Sequence, residues 1–444
     1  MEEFNDRNEN ENKNSSYAYS SSLNRNKNLD TIPFRIEYIK NLLSGKQLEP
    51  LIDLSTEEYN TEKFINNHNT DENDNKDTRI VLSKKILNFF KIINQIGGKL
   101  MYIKSGTTGH TFKGIISENN DTMNYAVKVV AYSKKEKYGD LHDITRPENA
   151  ELMTIKLLSY FVIKRQTPHI VLPMGTFDTS IKPFIELIEK EIIDDEDRKY
   201  MEFIEKYKKG EYYDNVSILI SEWANRGDLL DYIKKNYQKF SLIHWKVIFF
   251  QLLSTLAVIH SKYKTFRHND LKANNILIHK IKDKSKKFTY IVKRMEYVVP
   301  NIGYQIKLWD FDFACIDGQI ENSKVNSMWA KKINITKKQN RYYDMHYFFN
   351  TLIKRGFFPQ FMEDDIIPKE AKDFVNRIIP KKYQEGMYVH KRGRILVNDE
   401  YMTPNMVIRT DPFFEDFRKF VYKKTNIVKP CKHNFDSTHL LDSE

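Results

Sequence analysis

The segment FRHNDLKANNILI, residues 266–278, decides how this sequence is interpreted. Within it Asp270 precedes Asn275 by five positions, and Lys272 lies between them. Transfer of a phosphoryl group to a hydroxyl needs a carboxylate that orients the acceptor and takes its proton, an oxygen ligand for a metal ion and a cation for the developing charge. The segment supplies all three. We therefore predict that Asp270 and Lys272 are catalytic and that Asn275 is a metal ligand.

Short patterns recur by chance, and an isolated Asp is by default a solvated carboxylate, so this interpretation needs further support. Two other segments provide it. QIKLWDFDFA, residues 305–314, is an apolar strand that ends in Asp310, a carboxylate suited to hold Mg²⁺ between nucleotide phosphates. NYAVKVV, residues 124–130, places Lys128 in a β-branched strand. A lysine is costly there unless its charge is used, in this case on the α- and β-phosphates.

A glycine-containing loop precedes the lysine strand, in YIKSGTTGHTFKG, residues 102–114. Gly106 and Gly109 permit close approach of the backbone to phosphates, although Lys104 occupies the first glycine position of the usual Gly-x-Gly-x-x-Gly pattern. A plain hairpin turn is the alternative reading. The residues predicted to border the nucleotide are Lys104, Ser105, Gly106, Thr107, Thr108 and Gly109.

The composition limits the class of protein. The chain has 444 residues, 40% hydrophobic and 13% aromatic, so it can bury a core and is not disordered throughout. Its formal net charge of +11 suits an anionic partner without choosing among them. Cys315 and Cys431 are too few for a disulfide framework. The polar start MEEFNDRNENENKN predicts no signal peptide. The apolar run 247–259 is shorter than the ~20 residues of a membrane span, so no transmembrane segment is expected.

The periodicity of hydrophobic residues divides the chain into two unlike parts. Strand-like runs dominate the first part, at 99–104, 111–117, 124–131, 169–177 and 216–222. Helix-like runs occupy 147–164, 228–236, 241–260, 342–355 and 369–379. A β-rich part followed by an α-rich part predicts two lobes.

The chain begins with a tract that we predict to lie outside these lobes. Residues 1–30 are polar and read as disordered, whereas 33–66 look helical, with a capping box at Ser55 and Glu58 opening a second helix. The main domain is expected to start near residue 82.

The order of loop, strand lysine, helix glutamate, catalytic loop and metal Asp resembles the protein-kinase family over roughly residues 95–415. The resemblance implies an α+β, bilobal fold with a β-rich N-lobe, an α-rich C-lobe and an N-terminal extension. The expected division is an extension at 1–81, an N-lobe at 82–222 with an insertion at about 186–214, and a C-lobe at 223–444 with an insertion at about 279–303.

The same resemblance implies further site residues. Glu151 is the candidate for the helix glutamate that pairs with the strand lysine, and Glu148 is the alternative. SILISEWANRGDLLDYI, residues 217–233, is similar to a kinase hinge. There Glu222 and Ala224 would offer backbone groups to adenine, and Asp228 would lie near the ribose. Elsewhere, Asp344 could be the helix Asp that braces the catalytic loop.

Several features resemble one branch of this family, the poxvirus serine/threonine kinases packaged in virions: HNDLKANN, LWDFDFA, the Asn/Ser-rich extension and the large insertions. That likeness implies ATP with Mg²⁺, or Mn²⁺, as cofactors. It implies protein substrates among viral membrane and structural proteins during early virion morphogenesis. The expected location is the virion and host cytoplasm, extending to membranes derived from the endoplasmic reticulum or intermediate compartment. Peripheral membrane contact is left open by the basic segments 280–294 and 331–341, and no nucleic-acid partner is expected.

Two departures from the kinase pattern and two other functions must be weighed. Asn269 occupies the usual place of an Arg that binds an activation-segment phosphate, which argues against control by such a phosphate. Asp312 replaces the Gly of Asp-Phe-Gly.

A small-molecule phosphotransferase of the aminoglycoside or choline kinase sort is one alternative function, but Lys272 favours transfer to Ser or Thr of proteins. A non-catalytic pseudokinase scaffold is the other, although Lys128 and both catalytic carboxylates are present.

Overall fold

The fold is taken from a computed structural model, which describes residues 30–54, 82–106, 108–118, 121–193, 197–282, 285–421 and 434–435. The chain has an α+β fold of two lobes, a β-rich N-lobe and an α-rich C-lobe, with the hinge segment after residue 222 between them. This confirms the predicted fold class.

The N-lobe is built on one antiparallel sheet of five strands in the order β1-β2-β3-β5-β4. Its strands are β1 (Lys99–Ser105), β2 (Gly109–Glu118), β3 (Asp121–Ser133), β4 (Pro173–Ser180) and β5 (Tyr212–Glu222). In β3 the alternation of a strand puts Tyr125, Val127 and Val129 on the buried face, each at most 1% exposed. Lys128 therefore belongs to the opposite face, which is the face of the candidate site.

Helices cover this sheet. They are α2 (Phe89–Ile96), α3 (Pro147–Ile163), α4 (Lys182–Ile185) and α5 (Arg198–Lys208), with a 3₁₀ turn at Glu136–Tyr138. Helix α3 begins with a proline in its first turn, where a missing N–H costs nothing. The segment 186–214, which looked like an insertion, contributes α5 and the first residues of β5.

Part of the predicted extension is packed into the domain core. Helix α1 (Ile32–Leu43) buries Ile32 and Ile39 almost completely. The chain that follows pairs with β4, since the Leu51 N–H donates to the Met174 carbonyl at 2.8 Å. Leu48 lies so close to Gly175 that a Cβ there would meet its side chain at 2.6 Å. Residues 30–54 are thus integral to the folded lobe, while the predicted second helix from Ser55 lies outside the described residues.

The C-lobe is mainly helical around a central buried helix. Its helices are α6 (Leu229–Asn236), α7 (Leu242–Lys262), α8 (Met328–Lys332), α9 (Tyr343–Leu352), α10 (Gln360–Glu363), α11 (Lys369–Ile378), α12 (Lys381–Gln384) and α13 (Pro404–Thr410). Short 3₁₀ turns lie at Tyr237–Lys239, Ala273–Asn275 and Pro412–Phe417. Among the described residues, α7 is long and apolar enough to pass as a membrane span. However, 78% of that stretch is buried in the domain, as in a core helix, so it is weak evidence for a span.

Two small sheets complete the C-lobe. Strands β6 (Ile276–Lys280) and β9 (Tyr304–Leu308) pair antiparallel. The other sheet has the order β10-β8-β7-β11, formed by β7 (Lys287–Val292), β8 (Met295–Pro300), β10 (Arg418–Val421) and β11 (Asn434–Phe435). The predicted insertion at about 279–303 therefore contains the antiparallel hairpin of β7 and β8, whose Tyr290 and Tyr297 rings pack against Phe250 of α7.

Candidate active site

The strand lysine, the helix glutamate and the metal-motif Asp meet in one cluster. Lys128 Nζ donates to Glu151 Oε1 at 2.6 Å and to Asp310 Oδ1 at 3.0 Å. Glu148 is not the partner, because it lies beside Arg146, with 3.3 Å between Glu148 Oε2 and Arg146 Nε. Burial favours the neutral carboxyl, but the Lys128 ammonium lowers the pKa of Asp310 to about 2. Asp310 is therefore an anion at neutral pH, as a ligand of a divalent cation must be.

The catalytic-loop carboxylate is fixed by its own motif. Lys272 Nζ donates to Asp270 Oδ2 at 2.9 Å. Asn275 Nδ2 donates to the same Oδ2 and to the Asp270 carbonyl, both at 2.8 Å. These bonds use the NH₂ group of Asn275 and leave its Oδ1 as the oxygen that a cation can accept. The three residues predicted from the motif are thus in mutual contact.

Antiparallel pairing brings the catalytic loop and the metal motif to the same place. In the β6–β9 pair Ile276 lies opposite Leu308, so Asn275 and Asp310 leave the pair at the same end. His268 Nε2 hydrogen-bonds the Trp309 carbonyl at 3.0 Å and joins the two segments directly. Asp310 itself has φ of 63°, a left-handed conformation that Asp tolerates better than most residues.

A buried Asp on α9 braces the loop. Asp344 accepts from the His268 N–H at 2.7 Å and from the Asn269 N–H at 2.9 Å, and it is 1% exposed. Asn269 has φ of 63°, a left-handed conformation that Asn tolerates better than most residues. The sequence suggested this bracing role for Asp344, and the geometry agrees with it.

The segment that follows the metal motif is held to the catalytic loop by hydrogen bonds from Asn269 and Arg267 to its backbone carbonyls. Asn269 Nδ2 donates to the Phe313 carbonyl at 3.0 Å and to the Thr336 carbonyl at 3.3 Å. Arg267, which is fully buried, donates to the Asn334 carbonyl at 2.6 Å. Asp312, in the glycine position of the motif, forms an ion pair with Lys324 of the same segment.

The glycine-containing loop closes as a tight turn. The Gly106 N–H donates to the Gly109 carbonyl at 2.7 Å, and the Thr108 carbonyl accepts from the Ala131 N–H. The Ser105 hydroxyl is engaged inside the lobe, because it accepts from Tyr102 Oη at 2.8 Å and lies 3.0 Å from a His110 ring nitrogen. The predicted approach of Ser105 and Gly106 to phosphates therefore cannot use this hydroxyl or this N–H in the present conformation. Thr107 lies outside the described residues.

The two loop glycines are expected to differ in their tolerance of a side chain. A Cβ at Gly109 would lie 1.8 Å from the Val129 carbonyl oxygen, whereas at Gly106 the nearest atom is 3.6 Å away. Because the clash at Gly109 is with backbone, we expect Gly109→Ala to cost roughly 1–3 kcal/mol of stability and to misplace the loop. Gly106→Ala serves as the matched control. Thermal unfolding with and without ATP tests this, and equal behaviour of the two variants would contradict it.

The side chain of Glu222, at the start of the predicted hinge, is held by buried cationic side chains that the sequence did not reveal. Arg35 of α1 donates from Nε to Glu222 Oε2 at 2.8 Å, and Lys307 Nζ donates to Glu222 Oε1 at 3.1 Å. Burial opposes ionisation of Glu222, but Arg35 and then Lys307 lower the pKa of this carboxyl to about 2. The Glu222 N–H donates to the Leu172 carbonyl. The Glu222 N–H is thus already used, so the predicted contact with adenine would rest on the Glu222 carbonyl and the Ala224 backbone.

Asp228 lies at the start of α6, where it forms an isolated antiparallel bridge with Leu277 of β6. It accepts from the Asp231 N–H and caps α6. Burial raises the pKa of Asp228, and the hydrogen bond from the Asp231 N–H is the main effect that opposes this rise. The resemblance to kinases places the ribose of the nucleotide near Asp228.

The donor set suits a magnesium ion that is shared with phosphates. Asp310 and Asn275 offer one carboxylate and one amide oxygen, and Mg²⁺ prefers oxygen ligands and keeps several waters or phosphate oxygens. Mn²⁺ accepts similar ligands. Across the described part of the chain, there is no group of three or more His, Cys, Asp or Glu side chains that could hold a metal by protein ligands alone. A Mg²⁺ ion held by Asp310 and Asn275 would take its remaining ligands from phosphate oxygens or water.

A β-rich lobe whose lysine is paired to a helix glutamate, set over a helical lobe that carries a braced Asp–Lys–Asn loop, defines the protein-kinase class. Comparison with known proteins narrows this class. Residues 140–397 match the family model described as poxvirus serine/threonine protein kinase. A protein of Acanthamoeba polyphaga mimivirus that carries the name "Putative serine/threonine-protein kinase" is 52% identical over 392 residues, which cover 86% of this chain and 80% of the relative. The chain belongs to the poxvirus serine/threonine protein kinase family and is a serine/threonine protein kinase.

Proposed function

We propose that this kinase transfers the γ-phosphate of ATP to Ser or Thr hydroxyls of proteins, with Mg²⁺ as cofactor. The observation that carries the proposal is the convergence of four positions from distant parts of the chain. Lys128 contacts Asp310 at 3.0 Å, Asn275 contacts Asp270 at 2.8 Å, and the two pairs are joined through the catalytic loop. Family membership supports it independently.

In the proposed mechanism each residue has one task. Asp270 accepts a hydrogen bond from the acceptor hydroxyl, orients it and takes its proton as transfer proceeds. Lys272 is next to Asp270 and offsets the negative charge that develops on the transferred group. Lys128, held by Glu151, binds the α- and β-phosphates. Asp310 and Asn275 would hold Mg²⁺, which when bound neutralises charge on the β- and γ-phosphates.

The nucleotide is proposed to lie between the hinge and the glycine-containing loop. The Glu222 carbonyl and the Ala224 backbone would bind adenine, and Asp228 the ribose. Because the Gly106 N–H is bonded inside the loop, phosphate contacts would come from the remaining backbone of residues 104–109 after a local rearrangement. Such a rearrangement on nucleotide binding is common for loops over active sites.

For substrates we propose viral membrane and structural proteins phosphorylated early in virion morphogenesis. The support is the family, whose model is named for poxviruses, and a relative from another virus. Exposed Lys331, Lys332 and Lys338, in the segment after the metal motif, favour acidic substrate surfaces. The proposed locations are the virion and the host cytoplasm, with peripheral contact at internal membranes.

The test is a transfer assay with the purified full chain. The chain is incubated with γ-labelled ATP, with Mg²⁺ or EDTA, and with either a casein-like protein or a set of small alcohols and amino sugars. We expect Mg²⁺-dependent label on protein, which mass spectrometry places on Ser and Thr. Label on the small acceptors alone would indicate a small-molecule phosphotransferase. Nucleotide binding without transfer to any acceptor would indicate a scaffold.

A further inference from the structure

The catalytic carboxylate has a partner that lies outside the kinase motifs. Arg394, 124 residues further along the chain, forms an ion pair from Nη2 to Asp270 Oδ1. Its Nη1 donates to the Asn269 carbonyl and lies 3.2 Å from the Tyr343 hydroxyl. The Arg394 side chain is 7% exposed. The buried guanidinium of Arg394 thus binds two consecutive residues of the catalytic loop, Asn269 and Asp270.

The fold holds Arg394 firmly in this place. A β-bridge between Val389 and Ile395 closes a short hairpin, and Gly393 at its tip has φ of 92°. The Arg394 guanidinium lies over the Tyr347 ring of α9, 4.0 Å from its centroid. A planar cation stacked on an aromatic ring and bonded at both nitrogens loses little freedom on binding, which is why arginine suits such a site better than lysine.

The contacts of Asp270 divide between its two oxygens. Lys272 and Asn275 both bind Oδ2, whereas Arg394 binds Oδ1. An Asp carboxylate rotates readily about its last side-chain bond, because this torsion has a broad energy minimum. Hydrogen bonds to Oδ2 alone would still allow the carboxylate to rotate and move Oδ1. The Arg394 contact removes this freedom, and Oδ1 still has a second lone pair for an incoming hydroxyl.

We propose that Arg394 is a positioning residue for phosphoryl transfer, which holds Asp270 Oδ1 in the orientation that accepts the substrate hydroxyl. The inference deepens the proposed function and rests on the role of Asp270 in it. Arg394 touches neither nucleotide nor acceptor in this mechanism, so its effect is on kcat and not on the binding of ATP.

The hairpin also links this contact to the segment after the metal motif. Asn334 Nδ2 donates to the Ile395 carbonyl at 3.0 Å, next to Arg394, and the Asn334 carbonyl accepts from Arg267. Hydrogen bonds therefore link the segment after the metal motif, through the hairpin that carries Arg394, to the carboxylate of Asp270.

The experiment compares Arg394→Ala, Arg394→Lys and the matched control Arg392→Ala, whose exposed side chain is on the same hairpin. For each we would measure kcat and the KM for ATP on a protein substrate, together with thermal unfolding. Misplacement of a reacting group by about 1 Å can cost on the order of 10²-fold in rate. We expect a loss of that order for Arg394→Ala, with KM for ATP unchanged, a smaller loss for Arg394→Lys, and partial recovery of Arg394→Ala in millimolar guanidinium.

A second arm separates positioning from general stabilisation. In an Asp270→Asn background, Arg394→Lys should cause little further loss, because both changes act through one group. An equal loss in both backgrounds would overturn the proposal, as would unchanged or increased kcat in Arg394→Ala. If Arg394→Ala does not fold, full activity of Arg394→Lys is the contradicting result. A wild-type chain without transfer activity would instead refute the proposed function.

Discussion

Asp270→Asn is expected to lower kcat by roughly 10²–10⁴-fold, the usual contribution of a positioned general base. The amide has nearly the same shape as the carboxylate but cannot take the proton of the acceptor hydroxyl. It also leaves the charges of Lys272 and Arg394 without their partner. Because Asp270 is given no contact with nucleotide in the mechanism, the KM for ATP should change little. Steady-state kinetics on a protein substrate, with ATP affinity measured by calorimetry, tests the prediction.

The matched control is Asp373→Asn, which removes the same charge from the exposed face of α11. It should have wild-type kcat. A melting curve for Asp270→Asn will show whether the variant keeps its fold, since substitution within a buried hydrogen-bonded network also costs stability. Near wild-type kcat in folded Asp270→Asn would remove Asp270 from the catalytic role and with it the mechanism proposed here.

Much of this architecture was predictable because its signals are local. The helix predicted at 147–164 is observed at Pro147–Ile163, and that predicted at 369–379 at Lys369–Ile378. Hydrophobic periodicity determines such elements directly. The contacts within the candidate site were predictable for a related reason. Each of its groups is fixed by a short motif on one strand or loop, and the chemistry of phosphoryl transfer says which residue types must meet.

The parts that sequence reasoning missed depend on single residues that act over long separations. Arg35 meets Glu222 across 187 positions, and Arg394 meets Asp270 across 124. An arginine in a polar or basic stretch is most simply read as solvated, and nothing in its neighbours shows that it will be buried. Glu222 was predicted for its backbone alone, yet its side chain carries the ion pairs. A glycine-containing segment can also be read either as a phosphate-binding loop or as a plain turn. In this structure the Gly106 N–H donates to the Gly109 carbonyl, which makes the segment a tight turn.

Arg35→Met is expected to destabilise the protein by about 3–5 kcal/mol, the range for removing one partner of a buried ion pair. The methionine fills similar space but leaves Glu222, which is buried, with Lys307 as its remaining cation. Arg35 also donates to the Pro168 and Ile170 carbonyls, at 2.8 and 2.6 Å, so these lose their donors as well. Chemical denaturation at pH 7 measures the loss.

The pH dependence of this loss identifies its cause. The pKa of Glu222 is about 2 in the folded protein against an ordinary value of 4.5, so its charge stabilises the fold fully above pH 4.5. That contribution declines as the pH falls towards 2. Because Arg35 is the larger of the cationic influences on Glu222, the gap in stability between wild type and Arg35→Met should be widest above pH 4.5 and narrow below it.

The matched control for this prediction is Lys40→Met, which removes a cation from the exposed face of the same helix. Its effect should stay within about 0.5 kcal/mol at every pH, as for surface substitutions generally. ATP affinity provides a second measurement, because Glu222 begins the proposed hinge, and loss of its ion pair with Arg35 should then weaken the binding of adenine. A gap between wild type and Arg35→Met that stayed constant from pH 7 to the acid limit would show that packing, and not the charge of Glu222, joins α1 to the hinge.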